Sequence, residues 1–124
     1  MRFLLLFFIL SIIITGCYYD KAELAYPVSA NPTACDTTGT TYSSTVSSIL
    51  NTNCYSCHSG NAAAGAGIKL DTYSGVVTYI NNGQLMGAIN QNGSMPAMPP
   101  GGYKLAACDI NKIQAWIIKG KPNN

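Results

Sequence analysis

The feature that most restricts this 124-residue chain is the stretch CYSCH at residues 54–58. Two thiols three positions apart, Cys54 and Cys57, are followed at once by His58, the only histidine in the sequence. Such a pattern occurs in half of a zinc site, in a redox dithiol and in the covalent attachment site of a haem. Each of these chemistries needs different residues elsewhere in the chain, so the rest of the sequence can discriminate among them.

The N-terminus has the pattern of a secretory signal. Arg2 precedes an apolar run at residues 3–14, broken only by Ser11, which is shorter than the roughly 20 residues of a transmembrane helix. The following residues, ITGC at 14–17, resemble the lipobox of bacterial lipoproteins, which implies that Cys17 is lipidated and becomes the new N-terminus. We therefore expect residues 1–16 to be a lipoprotein signal peptide and the remainder to lie outside the cytoplasm, tethered to a membrane. The alternative is an uncleaved anchor helix.

Composition sets limits on the remaining chain. Residues 17–124 contain six lysines, no arginine and five acidic residues, so there is no basic patch of the kind that binds nucleic acid. Few charged residues and many small polar ones predict a thin apolar core that needs a covalent link or a cofactor. In an oxidising compartment Cys35 and Cys108, the cysteines left over, are expected to form a disulfide, the alternative being two unpaired thiols.

The local patterns predict an all-α, loop-rich fold. Prolines and small polar residues at 17–41 indicate a flexible tether, and residues 42–124 form the predicted domain. No stretch alternates with a strand period. Helices are predicted after a cap at Ser43 or Ser44, over 72–80, over 84–90, and from a cap at Asp109 to a stop at Gly120, whereas the Pro- and Gly-rich residues 91–104 are predicted to be irregular.

The sequence as a whole favours covalent haem attachment over the alternatives, which are a zinc site, a redox dithiol and a plain disulfide. A zinc site needs four ligands, and the two distant single cysteines have no short spacing that would supply them. A thioredoxin-like dithiol needs a βαβ context, which is absent. A plain disulfide between Cys54 and Cys57 leaves His58 without a role. Covalent haem attachment needs two cysteines for thioether bonds and the adjacent histidine for the iron, which is the set found at 54–58.

With the motif in this context, residues 42–122 resemble a class I monohaem cytochrome c domain, and more narrowly the small lipoprotein cytochromes of Gram-negative bacteria. The resemblance rests on CYSCH, on LDTY at 70–73, on MPPGG at 98–102 and on KLAACDINKIQAWIIKG at 104–120. It implies a small helical domain around one covalently bound haem c, attached through Cys54 and Cys57, with His58 as the proximal iron ligand.

Because His58 is the only histidine, the sixth iron position must hold a methionine, water or a weaker ligand, or stay empty. The resemblance implies a methionine from the loop between the middle and last helices. The loop SMPAMPPGG at 94–102 holds two candidates. The resemblance favours Met98, since the family's run of Met-Pro, two glycines, lysine and leucine matches residues 98–105; Met95 is the alternative. Met86 is expected to pack in the core.

These residues predict an electron carrier rather than an enzyme. With both faces of the iron ligated and no arginine or spare histidine for catalysis, we expect single-electron transfer between redox proteins. The expected location is the cell envelope of a Gram-negative bacterium, lipid-anchored on the periplasmic side or at the outer membrane. The alternatives are a haem-based ligand sensor or enzyme subunit with an open or weakly ligated sixth site, and a structural surface lipoprotein without haem.

Overall fold

The computed structural model describes residues 35–124, and within them it contains helices and loops but no strand. A π-helical turn, Tyr42–Val46, runs directly into α1, Ser47–Asn53. The other helices are α2 (Tyr55–His58), α3 (Tyr73–Asn81), α4 (Gln84–Asn90) and α5 (Ala107–Ile118), with a 3₁₀ turn at Ala63–Gly65. The predicted all-α, loop-rich fold is confirmed, and so is the irregular course of residues 91–104.

The first helical segment begins earlier than predicted. Thr41 is extended and its side-chain oxygen accepts a hydrogen bond from the Ser44 amide at 3.2 Å, so Thr41 is the cap. The predicted cap at Ser43 or Ser44 is wrong, because Ser44 already supplies one of the amides that needs an acceptor. Val46 and Leu50 are fully buried and Ile49 nearly so, as their helical spacing predicts.

Helices α3 and α4 follow the predicted bounds closely. Thr72 is the cap of α3 and accepts a hydrogen bond from the Gly75 amide at 3.2 Å, so the helix proper starts one residue later than predicted. The bounds of α4 match the prediction. Both helices bury apolar side chains in the common core, namely Val76, Ile80, Leu85 and Ile89.

The last helix, α5, starts two residues before the predicted cap. Asp109 therefore lies in the first turn, where its negative charge is favourable near the helix N-terminus, and Ala106 occupies the cap position without a side-chain bond. Trp116 has an exposed fraction of 0 %, as has Ile113. The tryptophan is thus a central core residue.

An aromatic cluster of Tyr42, Tyr73 and Trp116 joins the first helical segment to α3 and α5. The ring of Tyr42 lies 5.1 Å from that of Tyr73 and 5.6 Å from that of Trp116, measured between centroids. The Tyr73 hydroxyl donates to the Lys121 carbonyl at 2.7 Å, and Trp116 Nε1 donates to the Pro122 carbonyl at 2.9 Å. These contacts fix the start of the first helical segment against α3 and α5.

The segment at residues 35–41 is attached to α5. A disulfide joins Cys35 to Cys108, with an S–S distance of 2.09 Å, and Lys119 Nζ donates to the Thr38 carbonyl at 2.7 Å. The last seven residues of the predicted tether therefore belong to the same compact unit as the helices. The predicted signal peptide, the predicted lipidation site Cys17 and the rest of the predicted tether lie outside the described residues. No helix within 35–124 is long and apolar enough to cross a membrane.

Candidate functional site

The CYSCH motif lies at a break between two helices. Cys54 is the C-terminal cap of α1 and the N-terminal cap of α2, and its backbone departs from helical geometry (φ −127°, ψ −34°). Its carbonyl accepts hydrogen bonds from the amides of Cys57 at 3.1 Å and His58 at 2.9 Å. One turn of chain therefore brings both thiols and the imidazole to the wall of a single cavity.

The cavity has a volume of about 510 Å³ and largely apolar walls. Leu70, Leu85 and Ile89 form part of its buried surface. None of its lining residues is Asp, Glu, Lys or Arg. A volume in the range of about 300–1,000 Å³ with apolar walls and a few polar groups is typical of a small-molecule or cofactor site.

The ring of His58 is oriented by the chain that follows it. His58 Nδ1 lies 2.9 Å from the Ile68 carbonyl oxygen. Because a carbonyl can only accept, Nδ1 carries the hydrogen and donates it, which leaves the lone pair on Nε2. Imidazoles that bind metals are commonly held in this way through their second nitrogen. The arrangement therefore prepares Nε2 as a ligand.

Gly65 packs directly on this ring. A Cβ atom at Gly65 would clash with His58 Nδ1 and would lie 2.6 Å from the Cys57 carbonyl oxygen and 2.8 Å from His58 Cε1. No other residue fits there without displacing the imidazole or the motif backbone. Neither Gly65 nor Ile68 was predicted from the sequence to belong to the site. The only available signal was the run of small residues directly after the motif.

The two motif cysteines are not joined to each other. Cys54 is only 9 % exposed, and burial raises the pKa of its thiol to about 11. An uncharged sulphur is therefore favoured at this position, as in a thiol or a thioether, whereas redox dithiols depend on a lowered pKa. Within residues 35–124 no group of three or more His, Cys, Asp or Glu side chains is arranged to hold a metal ion. The zinc alternative thus has too few ligands in the described part of the chain.

Both candidate methionines, Met95 and Met98, line the cavity and are half-buried. The Met98 amide donates to the Ala88 carbonyl at 3.1 Å, which ties this residue to α4. Met95 approaches the same helix at Gly87, where an added Cβ would lie 3.0 Å from Met95 Cγ. Met86 packs partly buried against the core and is not among the cavity residues.

The residues present fit a covalently bound haem. Two uncharged sulphurs, an imidazole with a free Nε2 and two methionine thioethers meet in one apolar cavity. This is the donor set of a c-type haem with histidine and methionine ligation.

Comparison with known proteins agrees with this chemistry. Residues 54–102 match the model of a family described as Planctomycete cytochrome C. The matched segment begins at the first motif cysteine and includes both candidate methionines. The match supports a cytochrome c-like domain, a class that implies covalently bound haem c and suggests haem-based electron transfer. No curated protein and no solved structure matches the chain significantly.

Proposed function

We propose that this protein is a lipid-anchored, monohaem c-type cytochrome that carries single electrons between redox proteins in the bacterial cell envelope. The observation that carries the proposal is the meeting of the CYSCH motif and the methionine loop in one uncharged cavity. The family match over residues 54–102 supports the same conclusion.

Each motif residue has a defined task. Cys54 and Cys57 form the two thioether bonds, and His58 Nε2 is the proximal iron ligand. A haem held here supplies reversible one-electron exchange between ferrous and ferric iron. The Ile68 carbonyl keeps the hydrogen on Nδ1, and Gly65 leaves room for the ring to keep its orientation. The apolar walls exclude water from the site.

Met98 is the proposed distal ligand, with Met95 as the alternative. Met98 is supported by its match to the family's Met-Pro run and by its main-chain bond to α4, which limits its movement. A methionine in the sixth position closes the iron to other ligands and raises the potential relative to two histidines. Catalysis is disfavoured because the cavity has no acidic or basic side chain other than the histidine given to the iron.

The proposed membrane anchor follows from the N-terminal sequence pattern. Cys17 is the proposed lipidation site, which would keep the domain on the periplasmic side or at the outer membrane.

The proposed contact surface for redox partners is the rim of the cavity. The exposed cavity residues are Ser56, Ala64, Ala66, Pro96 and Pro100, and none carries a charge. We infer that redox partners meet this uncharged rim through a small and transient interface.

The direct test of the cofactor is haem staining after denaturing electrophoresis, combined with the intact mass of the full-length protein. Staining should persist through denaturation, and the mass should show one haem, loss of residues 1–16 and an added lipid. Cys54→Ser/Cys57→Ser should lose the stain. Cys35→Ser/Cys108→Ser is the matched control and should keep it. An unstained wild-type protein from a host that matures c-type cytochromes would refute the proposal in favour of a structural lipoprotein.

A further inference from the structure

Gln91, the residue directly after α4, has an unexpected backbone conformation for its type. It lies in the left-handed region (φ 53°, ψ 43°). Glycine, and less often asparagine, is the usual residue at this position after a helix, since a side chain with a Cβ is disfavoured there. A glutamine at such a site indicates that its side chain has a task that offsets the backbone cost.

The Gln91 side chain holds the methionine loop, residues 94–102, at two points, one in its middle and one directly after it. Its Nε2 donates to the Met98 carbonyl at 3.2 Å and to the Tyr103 carbonyl at 2.7 Å. A side-chain amide nitrogen carries two hydrogens, so both bonds can form at once. The two acceptors lie 7 and 12 residues further along the chain. A single side chain thereby bridges the middle of the loop and the residue directly after it.

The bridge completes the attachment of Met98. Its amide is already bonded to the Ala88 carbonyl of α4 at 3.1 Å, and its carbonyl is held by Gln91 at the end of the same helix. Both main-chain groups of Met98 are therefore fixed to one element. The loop around it contains Gly93, Gly101 and Gly102, all with positive φ, and has no regular structure that would otherwise hold it.

We propose that Gln91 is a positioning residue that holds Met98 in place as the sixth iron ligand. The inference rests on the proposed function, in which Met98 binds the iron. Loss of the bridge lets the Met98 main chain move away from α4, so the iron–sulphur bond opens more often and an external ligand competes more successfully. This role of Gln91 differs from structural support, because losing the bridge changes how readily Met98 is exchanged for another iron ligand and does not change the folding of the chain.

Two variants of the full-length haem protein separate these roles. Gln91→Glu keeps the shape but replaces the donor with an oxygen that faces two carbonyls. Gln91→Gly removes the bridge and relieves the left-handed backbone, so the fold is retained or stabilised. Gln114→Glu, on the exposed face of α5 and without a side-chain bond to any described residue, is the matched control. Imidazole is the probe, because it displaces methionine from ferric iron.

The expected result is that both Gln91 variants bind imidazole about tenfold more tightly than wild type, in line with the loss of two hydrogen bonds. Hydrogen exchange at the Met98 amide should also become faster, while Gln114→Glu should behave as wild type in both measurements. Wild-type imidazole affinity in both Gln91 variants, with Met98→Ala losing the iron–sulphur absorption, would overturn the positioning role and leave the proposed function standing. If Met98→Ala keeps that absorption, the ligand assignment falls and the inference falls with it.

Discussion

His58 is fixed by two neighbours that no motif describes. The Ile68 carbonyl selects its tautomer, and Gly65 provides the space in which its ring lies. The motif itself was predictable, because its residues are adjacent in sequence and carry a known chemistry. The residues that hold His58, namely Gly65 and Ile68, were not predictable, because they lie in a loop whose path depends on tertiary packing.

Gly65→Ala tests this support. The added methyl group would overlap the His58 ring and the Cys57 carbonyl, so the free energy of unfolding should fall by about 1–3 kcal/mol. Gly39→Ala is the matched control, since a Cβ there meets nothing within 4 Å and the backbone is not left-handed. Denaturant unfolding of both variants provides the measurement. Equal stabilities would show that the ring is not confined by residue 65.

A second prediction at this scale concerns the choice of methionine. Met98→Ala should convert the oxidised protein from a low-spin to a high-spin absorption spectrum, because the sixth position loses its sulphur. Met95→Ala and the core control Met86→Ala should remain low-spin. The opposite pattern for Met95 and Met98 would assign the ligand to Met95, which lines the same cavity.

The helices show where local sequence decides structure and where it does not. The bounds of α4 were predictable because Gly83 and the polar residues after Ile89 limit a short apolar pattern. The starts of the first helical segment and of α5 were misplaced. Thr41 is a cap with extended backbone and a side-chain bond, whereas Ala106 is a cap with non-helical backbone (φ −55°, ψ 139°) and no side-chain bond. Cap choice depended on backbone geometry that residue type alone does not specify.

The disulfide between Cys35 and Cys108 attaches the segment 35–41 to α5, and its removal should destabilise this attachment. Closing a sequence separation of 73 residues stabilises a chain by about 4 kcal/mol on the chain-entropy model. Cys35→Ser/Cys108→Ser should therefore lower the free energy of unfolding by about 2–4 kcal/mol while keeping the haem. Guanidinium unfolding with and without reductant measures this. An unchanged stability would contradict the structural role of the bond.

For the whole molecule, the distribution of charge bears on the proposed route of electron transfer. None of the described residues that line the cavity has a charged side chain, and the described lysines and acidic residues lie elsewhere. An uncharged rim gives little electrostatic steering, so encounter with partners should depend only weakly on salt. A charge added at the rim should then change the rate of electron transfer to a charged reaction partner, because no other charged side chain of the described rim opposes it.

Ala64→Lys puts such a charge at the exposed rim, and Ile118→Lys puts the same charge on α5 at a residue that is 76 % exposed and outside the cavity. At low salt the rim variant should transfer electrons to the hexacyanoferrate anion at least about threefold faster than the α5 variant. The difference should vanish at high salt. Equal rates at low salt would mean that electrons do not leave through this rim.

The proposed function requires a haem whose iron is closed to external ligands and which exchanges one electron at a time. A potentiometric titration of the full-length protein, followed by absorption with and without carbon monoxide, tests that requirement most directly. We expect a single one-electron wave, low-spin spectra in both oxidation states and no effect of carbon monoxide. A high-spin oxidised form, or a reduced form that binds carbon monoxide, would contradict the carrier and support a ligand sensor or an enzyme subunit with an open sixth site.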